Sequence, residues 1–138
     1  METWSEALRT VVVELDEQHQ LIFRRAAVVR DAVLTGRGKG EVKAAIDFLA
    51  DYAAVHFETE ARYMRLAAFP DQRFHLDEHA QLEKELKAAA EAWAAEGDSV
   101  ELALEVAALV ENWLTGHILE HDRRLASWLQ LAGRTGGA

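Results

Sequence analysis

The most informative part of the chain for its fold is residues 56–79, HFETEARYMRLAAFPDQRFHLDEH. It holds two polar pairs, His56 with Glu60 and His75 with His79, on either side of the only proline in the chain. Residues four apart share one face of an α-helix, so each pair marks a helix face. Proline cannot continue a helix. The stretch therefore predicts two helices joined by a loop around that proline.

Two further breaks divide the rest of the chain. Residues 36–40 are rich in glycine, and residues 97–99 form a Gly-Asp-Ser turn whose serine can cap a helix. The three breaks leave four segments between Asp16 and Ala132, and each carries an apolar stripe of helical periodicity. Short loops make successive helices antiparallel. We therefore predict an all-α fold, an up-down-up-down antiparallel four-helix bundle with an N-terminal arm.

The predicted domain organisation is simple. A chain of 138 residues suits one domain with one core. We expect the single domain to span 1–138, with an arm at 1–15, the bundle at 16–132 and a frayed tail at 133–138. A tryptophan and a run of valines predict that the arm lies along the bundle, in either helical or extended form.

Composition excludes several classes of function. The net charge is -9 and no basic patch stands out, so a nucleic-acid partner is not expected. The chain has no cysteine, which excludes disulfides, iron–sulfur clusters and zinc-thiolate sites and leaves nitrogen and oxygen as metal ligands. The N-terminus does not resemble a signal peptide, and no window approaches the roughly 18 consecutive apolar residues of a membrane span. We expect a cytoplasmic monomer without a membrane span.

Five of the six histidines lie on the inward stripes and come to one level of the bundle. Counted along helices that rise 1.5 Å per residue, His19 and His56 lie equally far from the first loop. His79 and His117 lie equally far from the third loop, and the two pairs beside the second loop match within a turn. One such histidine is usually an ordinary core residue. Several imidazoles and a carboxylate in one buried layer are costly without a cation, so the set predicts a metal cluster.

These residues lie in stretches similar to those of the hemerythrin family, in particular its bacterial branch. A single His-x3-Glu pair is weak evidence, but the ordered set spans all four helices. The matching stretches are Asp16-Glu17-Gln18-His19, His56-Phe57-Glu58-Thr59-Glu60, His75-Leu76-Asp77-Glu78-His79 and Trp113-Leu114-Thr115-Gly116-His117-Ile118-Leu119-Glu120-His121-Asp122.

The resemblance implies two non-haem iron ions joined by an oxo or hydroxo bridge and by two carboxylates. The implied ligands are His75, His79 and His117 for one ion, His19 and His56 for the other, and Glu60 with Asp122 as bridges to both. The ion with two histidines keeps an open position. The resemblance implies that O2 binds there, and that NO or small anions such as azide could do so.

The last carboxylate does not follow simple helix geometry. Asp122 lies five residues after His117, whereas His121 lies four after it and would share its face better. The family pattern, His-x4-Asp, favours Asp122. A π-type bulge between Leu119 and His121 would reconcile the two. Our hypothesis is that Asp122 bridges the ions and that His121 lies outside the ligand set.

The residues expected to line the O2 pocket are apolar. Ile22 lies one turn after His19 and faces the open ion by helix spacing, and the others match pocket positions of the family. The full set is Ile22, Phe57, Trp113, Leu114 and Ile118. Gln18 and Glu58 are candidates to hydrogen-bond the outer nitrogens of the ligand histidines.

The function implied by the resemblance is reversible O2 binding, as a carrier, store or delivery protein and not as an enzyme. The alternatives are a sensor of O2 or NO, a di-iron peroxidase or NO-handling protein, and an iron store. The sequence does not identify a protein recipient or a reductant.

Overall fold

The structure, a computed structural model, describes residues 4–97 and 99–133. Residues 1–3, 98 and 134–138, which include most of the predicted tail, lie outside the described residues. The helices are α1 Val13–Leu34, α2 Lys39–Leu66, α3 Gln72–Glu96, α4 Val100–His117 and α5 Arg123–Leu131.

The predicted all-α four-helix bundle is confirmed. A π-helical segment, Ile118–Asp122, joins α4 to α5, so these elements form the fourth rod of the bundle. α1 packs against α2 and α4, and α3 packs against the same two helices. The first helix begins at Val13, not at Asp16 as the sequence suggested. The division into arm, bundle and tail otherwise stays a prediction.

The arm contains a short 3-10 helix, Glu6–Leu8, followed by extended chain that is pinned to the start of α1. The backbone N–H of Thr10 donates to Asp16 Oδ1 at 2.9 Å, and the Thr10 hydroxyl donates to the same oxygen at 2.8 Å. Arg123 donates to the carbonyl oxygen of Ala7. The arm therefore combines both expected forms, and it ties the start of the first rod to the beginning of α5 in the fourth.

The loop around the proline begins with a well-defined helix C-terminus. The N–H of Phe69 bonds to the carbonyl of Met64, and the N–H of Ala68 bonds to that of Arg65. This pair of bonds is a Schellman motif, which places Ala68 at φ +51°, in the left-handed region that favours glycine. Pro70 then prevents the helix from continuing.

The core consists of a larger apolar cluster and a smaller one with a polar layer between them, and of a third, minor cluster on α2 and α3. The larger cluster includes Ile22 and Ile118, and the smaller one includes Leu15, Met64 and Leu125. The polar residues of α1 and of the π-helical segment lie in sequence between members of the two clusters. Apolar packing above and below therefore closes this layer off from water.

The fourth rod is long and apolar enough to cross a membrane, judged by length and composition alone. From the sequence we expected no stretch of this kind. In the structure, 44% of its most apolar stretch is buried inside the bundle, and the core helix of a soluble protein can pass the same test of length and composition. The expectation of no membrane span stays a prediction.

Candidate metal centre

The seven residues proposed as ligands converge in the polar layer, and each is between 0 and 3% exposed. They form two groups that share Glu60 and Asp122, and the ligand atoms of each group lie within 4.8 Å of one another. The histidines divide as His75, His79 and His117 in one group and His19 and His56 in the other. This is the division that the resemblance implied for two ions.

Glu60, on α2, directs its two oxygens to different groups. Its Oε1 lies 2.8 Å from Nε2 of His79 and 3.2 Å from Nε2 of His75. Its Oε2 lies 3.4 Å from Nε2 of His56. A carboxylate that bridges two cations presents one oxygen to each, and Glu60 has this orientation.

Asp122, at the end of the π-helical segment, repeats the arrangement. Its Oδ1 lies 3.0 Å from Nε2 of His117 and 3.1 Å from Nε2 of His75, whereas its Oδ2 lies 2.9 Å from Nε2 of His19. Each of the two carboxylates thus spans both histidine groups.

The histidine nitrogens are spaced as ligands of one ion would be. Nε2 of His117 lies 2.9 Å from Nε2 of His75 and 3.1 Å from Nε2 of His79. Neighbouring ligands of an octahedral ion lie about 3 Å apart when the bonds are about 2.1 Å long. A shared proton can join two ring nitrogens but not three. A cation would satisfy all three at once.

Several buried polar atoms of the layer also lack a hydrogen-bond partner among the described residues. Toward the centre they are Nε2 of His19 and His56, Oε2 of Glu60 and both carboxylate oxygens of Asp122, whose close contacts within the layer lack hydrogen-bond geometry. On the outer side they are Nδ1 of His19, His79 and His117. Buried polar groups are rarely left in this state, because the desolvation cost is not recovered. Imidazole nitrogen and carboxylate oxygen suit divalent iron and its neighbours, so the residues fit the implied centre.

The electrostatics of the layer favour bound positive charge. Burial alone lowers the pKa of His19, but the carboxylates of Asp122 and Glu60 outweigh it and raise the pKa to about 9. Burial likewise opposes the charge on His117, whose pKa the same carboxylates raise to about 10. Burial raises the pKa of Glu60 and Asp122, yet the nearby imidazoles hold both below their ordinary range. In the protein alone, protons therefore supply the charge that a metal would bring.

The π-helical segment confirms the bulge that the His-x4-Asp spacing required. The extra residue in this turn lets His117 and Asp122 both face the layer, although they are five residues apart. His121 is rotated to the edge, where its Nε2 lies 3.5 Å from Glu78 Oε1 and its ring 5.1 Å from that of His117. His121 belongs to neither of the two ligand groups.

One of the two candidate hydrogen-bonding residues is in place. Gln18 Oε1 lies 2.8 Å from Nδ1 of His56, and its amide nitrogen donates to the Thr59 hydroxyl at 3.1 Å. This contact turns Nε2 of His56 toward Glu60. The suggestion for Glu58 was wrong, because that residue points to solvent and pairs with Arg65.

The five predicted pocket residues lie on two sides of the layer. Ile22, Leu114 and Ile118 are buried together in the larger apolar cluster: Ile22 lies one turn from His19, Ile118 one turn from Asp122 and Leu114 one turn from His117. The other two stack on histidines of the three-histidine group: the ring of Phe57 lies 4.1 Å from that of His79, and the ring of Trp113 lies 4.2 Å from that of His117. Their role in an O2 pocket stays a prediction.

A buried ion pair between Arg30 of α1 and Glu111 of α4 was missed from the sequence. Their side chains are only 11% and 4% exposed. The sequence offered one indication that Glu111 is buried, because this residue interrupts the apolar stripe of the fourth segment between Val110 and Leu114. Nothing in the sequence indicated its partner.

Comparison with known proteins agrees with this geometry. The chain matches the model of the hemerythrin HHE cation-binding domain over residues 10–129. It is 29% identical to a bacteriohemerythrin of Methylococcus capsulatus over 129 residues, 88% of this chain and 91% of that protein. It is 28% identical to a bacteriohemerythrin of Ralstonia nicotianae over 133 residues, 94% of this chain and 90% of that protein.

A solved structure of a leucine-to-phenylalanine mutant is also similar, with a TM-score of 0.82 and 27% identity. The match covers 94% of this chain and 97% of the other. The chain therefore belongs to the hemerythrin family and is a cation-binding domain of the bacteriohemerythrin type. The family indicates non-haem iron as its cation.

Proposed function

We propose that this protein binds O2 reversibly at a centre of two non-haem iron ions. The observation that supports this most strongly is the orientation of Glu60 and Asp122, each of which offers one oxygen to a three-histidine group and one to a two-histidine group. His75, His79 and His117 would hold one ion, and His19 and His56 the other. Two ferrous ions held in this way would supply the electrons for reversible O2 binding.

We propose that O2 would bind on the side of the two-histidine group, because the two ligand groups differ in the number of nitrogen donors. The side with His19 and His56 has one nitrogen donor fewer than the other side, so it leaves a position for an outside ligand. Ile22, one turn after His19, lies next to this side. A small uncharged molecule suits a position between an apolar wall and two buried imidazoles.

The wall beside this position favours binding over turnover. Ile22, Leu114 and Ile118 are hydrocarbon side chains that exclude water and cannot donate a proton. Catalysis of peroxide or NO turnover would benefit from a proton donor that is not itself a ligand. A nitrogen-rich ligand set also stabilises high oxidation states less than a carboxylate-rich one. We therefore propose an O2 carrier, store or delivery protein, acting as a cytoplasmic monomer, and not an enzyme.

Cycles of aeration and deoxygenation test the proposal. Protein loaded with ferrous iron under argon should become coloured in air and bleach again when O2 is removed, over several cycles. Matched samples receive H2O2 or NO in large excess. Sustained consumption of either, without a reversible colour change, would replace the carrier role with an enzymatic one.

A further inference from the structure

Iron must reach a centre whose proposed ligands are all buried. The seven side chains are at most 3% exposed, and apolar clusters close the layer on both sides. A hydrated cation that entered between apolar side chains would lose its water before it gained any ligand, at great cost. A route lined by side chains that can replace water stepwise would avoid this.

A third group of potential ligands lies at the edge of the layer. Glu78 of α3, His121 of the π-helical segment and His117 each offer one ligand atom, and these atoms lie within 4.8 Å of one another. Nε2 of His121 lies 3.5 Å from Oε1 of Glu78. Two imidazoles and one carboxylate form a set that binds divalent iron.

The three side chains lead from solvent to the centre. Glu78 is 39% exposed, His121 is 12% exposed and His117 is 1% exposed. The ring of His121 lies 5.1 Å from that of His117 and 6.0 Å from that of His75, both in the three-histidine group. A cation held by the outer two residues would therefore already be beside proposed ligands of the centre.

The surroundings of the group suit the capture of a cation. Glu120 adds a second carboxylate 3.7 Å from Nε2 of His121, and its side chain is 79% exposed. The ring of Phe74 lies 5.3 Å from that of His121 and covers part of it. Carboxylates at the surface attract a divalent ion, and the imidazole behind them offers the first nitrogen.

We propose that Glu78 and His121 form an entry port through which ferrous iron passes to His117 and on to the buried centre. The π-helical segment produces this arrangement, because it turns Asp122 into the layer and leaves His121 at its rim. The inference rests on the proposed function only in that the buried residues bind iron. It concerns the rate at which iron is taken up, not the amount held at equilibrium.

The test measures iron uptake by the full chain after its metal has been removed with a chelator. The protein is mixed with Fe2+ under argon, samples are quenched with a ferrous indicator, and unbound iron is followed over time. Final iron content is measured separately after long incubation. The variants are Glu78→Gln and His121→Leu, with Glu83→Gln, on the exposed face of the same helix, as a control for the lost charge.

We expect uptake about tenfold slower in each port variant, as the loss of one metal contact of about 1.4 kcal/mol would give, with the wild-type final iron content. The control should take up iron at the wild-type rate. Wild-type rates in both port variants would overturn the proposal, as would equal slowing in Glu83→Gln. Reduced final content at an unchanged rate would make the two residues ligands and not a port. A wild-type chain that holds no iron would instead refute the proposed function.

Discussion

At the scale of single residues, the positions of the ligand atoms depend on contacts outside the layer. Gln18 is the clearest example, because it hydrogen-bonds both the outer nitrogen of His56 and the hydroxyl of Thr59. The bond to Nδ1 leaves Nε2 as the nitrogen available to a metal. Spacing could predict that such a residue should exist. It could not choose between Gln18 and Glu58, because their different orientations depend on how two helices are rotated.

Replacing Gln18 by leucine should therefore weaken iron binding on the side of His19 and His56. Loss of a hydrogen bond to a metal-binding histidine typically lowers affinity about 10- to 100-fold. Competition with a ferrous chelator would measure the change. Gln20→Leu is the matched control, since Gln20 is also half-buried on α1 and makes no hydrogen bond to a ligand histidine in the described structure. Equal affinities in the two variants would contradict the role of Gln18.

The ionisable residues of the layer predict a pH optimum for the stability of the metal-free protein. Folding raises the pKa of His19 and His117 above 6.5. Their contribution to the free energy of unfolding is therefore complete below pH 6.5 and is lost as the pH rises toward about 9 for His19 and about 10 for His117. Folding lowers the pKa of Glu60 and Asp122 below ordinary values of 4.5 and 3.8, so their contribution is lost as pH falls below these.

Burial lowers the pKa of His79, so the stability that this residue contributes is lost as pH falls below 6.5. The free energy of unfolding of the metal-free protein should thus be greatest between about pH 4.5 and 6.5, toward the upper end of that range. Urea titrations across this range and beyond it would measure the profile. Bound iron should extend stability to higher pH, because the metal replaces the protons on the imidazoles. A metal-free protein whose stability rises steadily from about pH 6 to pH 9 would contradict the arrangement of charges.

At the scale of helices and turns, the sequence predicted a local distortion that propensities alone would not reveal. The His-x4-Asp spacing cannot place both side chains on one face of a regular α-helix, and the structure resolves this with a π-helical segment. The residues that end the helices were harder to predict from the sequence. α1 ends with Gly36 at φ +72°, as expected of a Schellman motif, but α2 uses Ala68 for the same position.

Ala68→Gly should therefore stabilise the protein. Alanine at φ +51° is strained by about 1–2 kcal/mol, and glycine relieves this strain. Glycine also makes the unfolded chain more flexible, which offsets about half of the gain in stability. We expect a gain of about 0.5–1 kcal/mol in the free energy of unfolding, measured with urea. Ala67→Gly, at a negative φ, is the control and should give no gain. A loss of stability in Ala68→Gly would exclude strain at this turn.

At the scale of the whole molecule, the four-helix architecture and the level of the polar layer could be predicted because both follow from periodicity and loop position. Contacts that depend on how the helices are rotated about their axes could not. The Arg30–Glu111 pair joins α1 to α4 inside the bundle, and only the assembled structure shows that the two side chains meet.

Removing one partner of this ion pair should lower the free energy of unfolding more than replacing both partners with apolar residues. Glu111→Leu leaves a buried guanidinium without its partner and should lower the free energy of unfolding by about 3–5 kcal/mol. The double variant Arg30→Met/Glu111→Leu removes both charges and should recover most of that loss. Chemical unfolding of the wild-type protein, the single variants Glu111→Leu and Arg30→Met, and the double variant would measure the coupling. A double variant as unstable as the sum of its single variants would show that the two residues do not interact.

The most direct test of the proposed centre is anomalous diffraction at the iron edge from crystals of the iron-loaded protein. We expect two iron peaks inside the bundle, one contacted by His75, His79 and His117 and the other by His19 and His56, with Glu60 and Asp122 contacting both. A single peak, or two ions that do not share these carboxylates, would contradict the proposed centre.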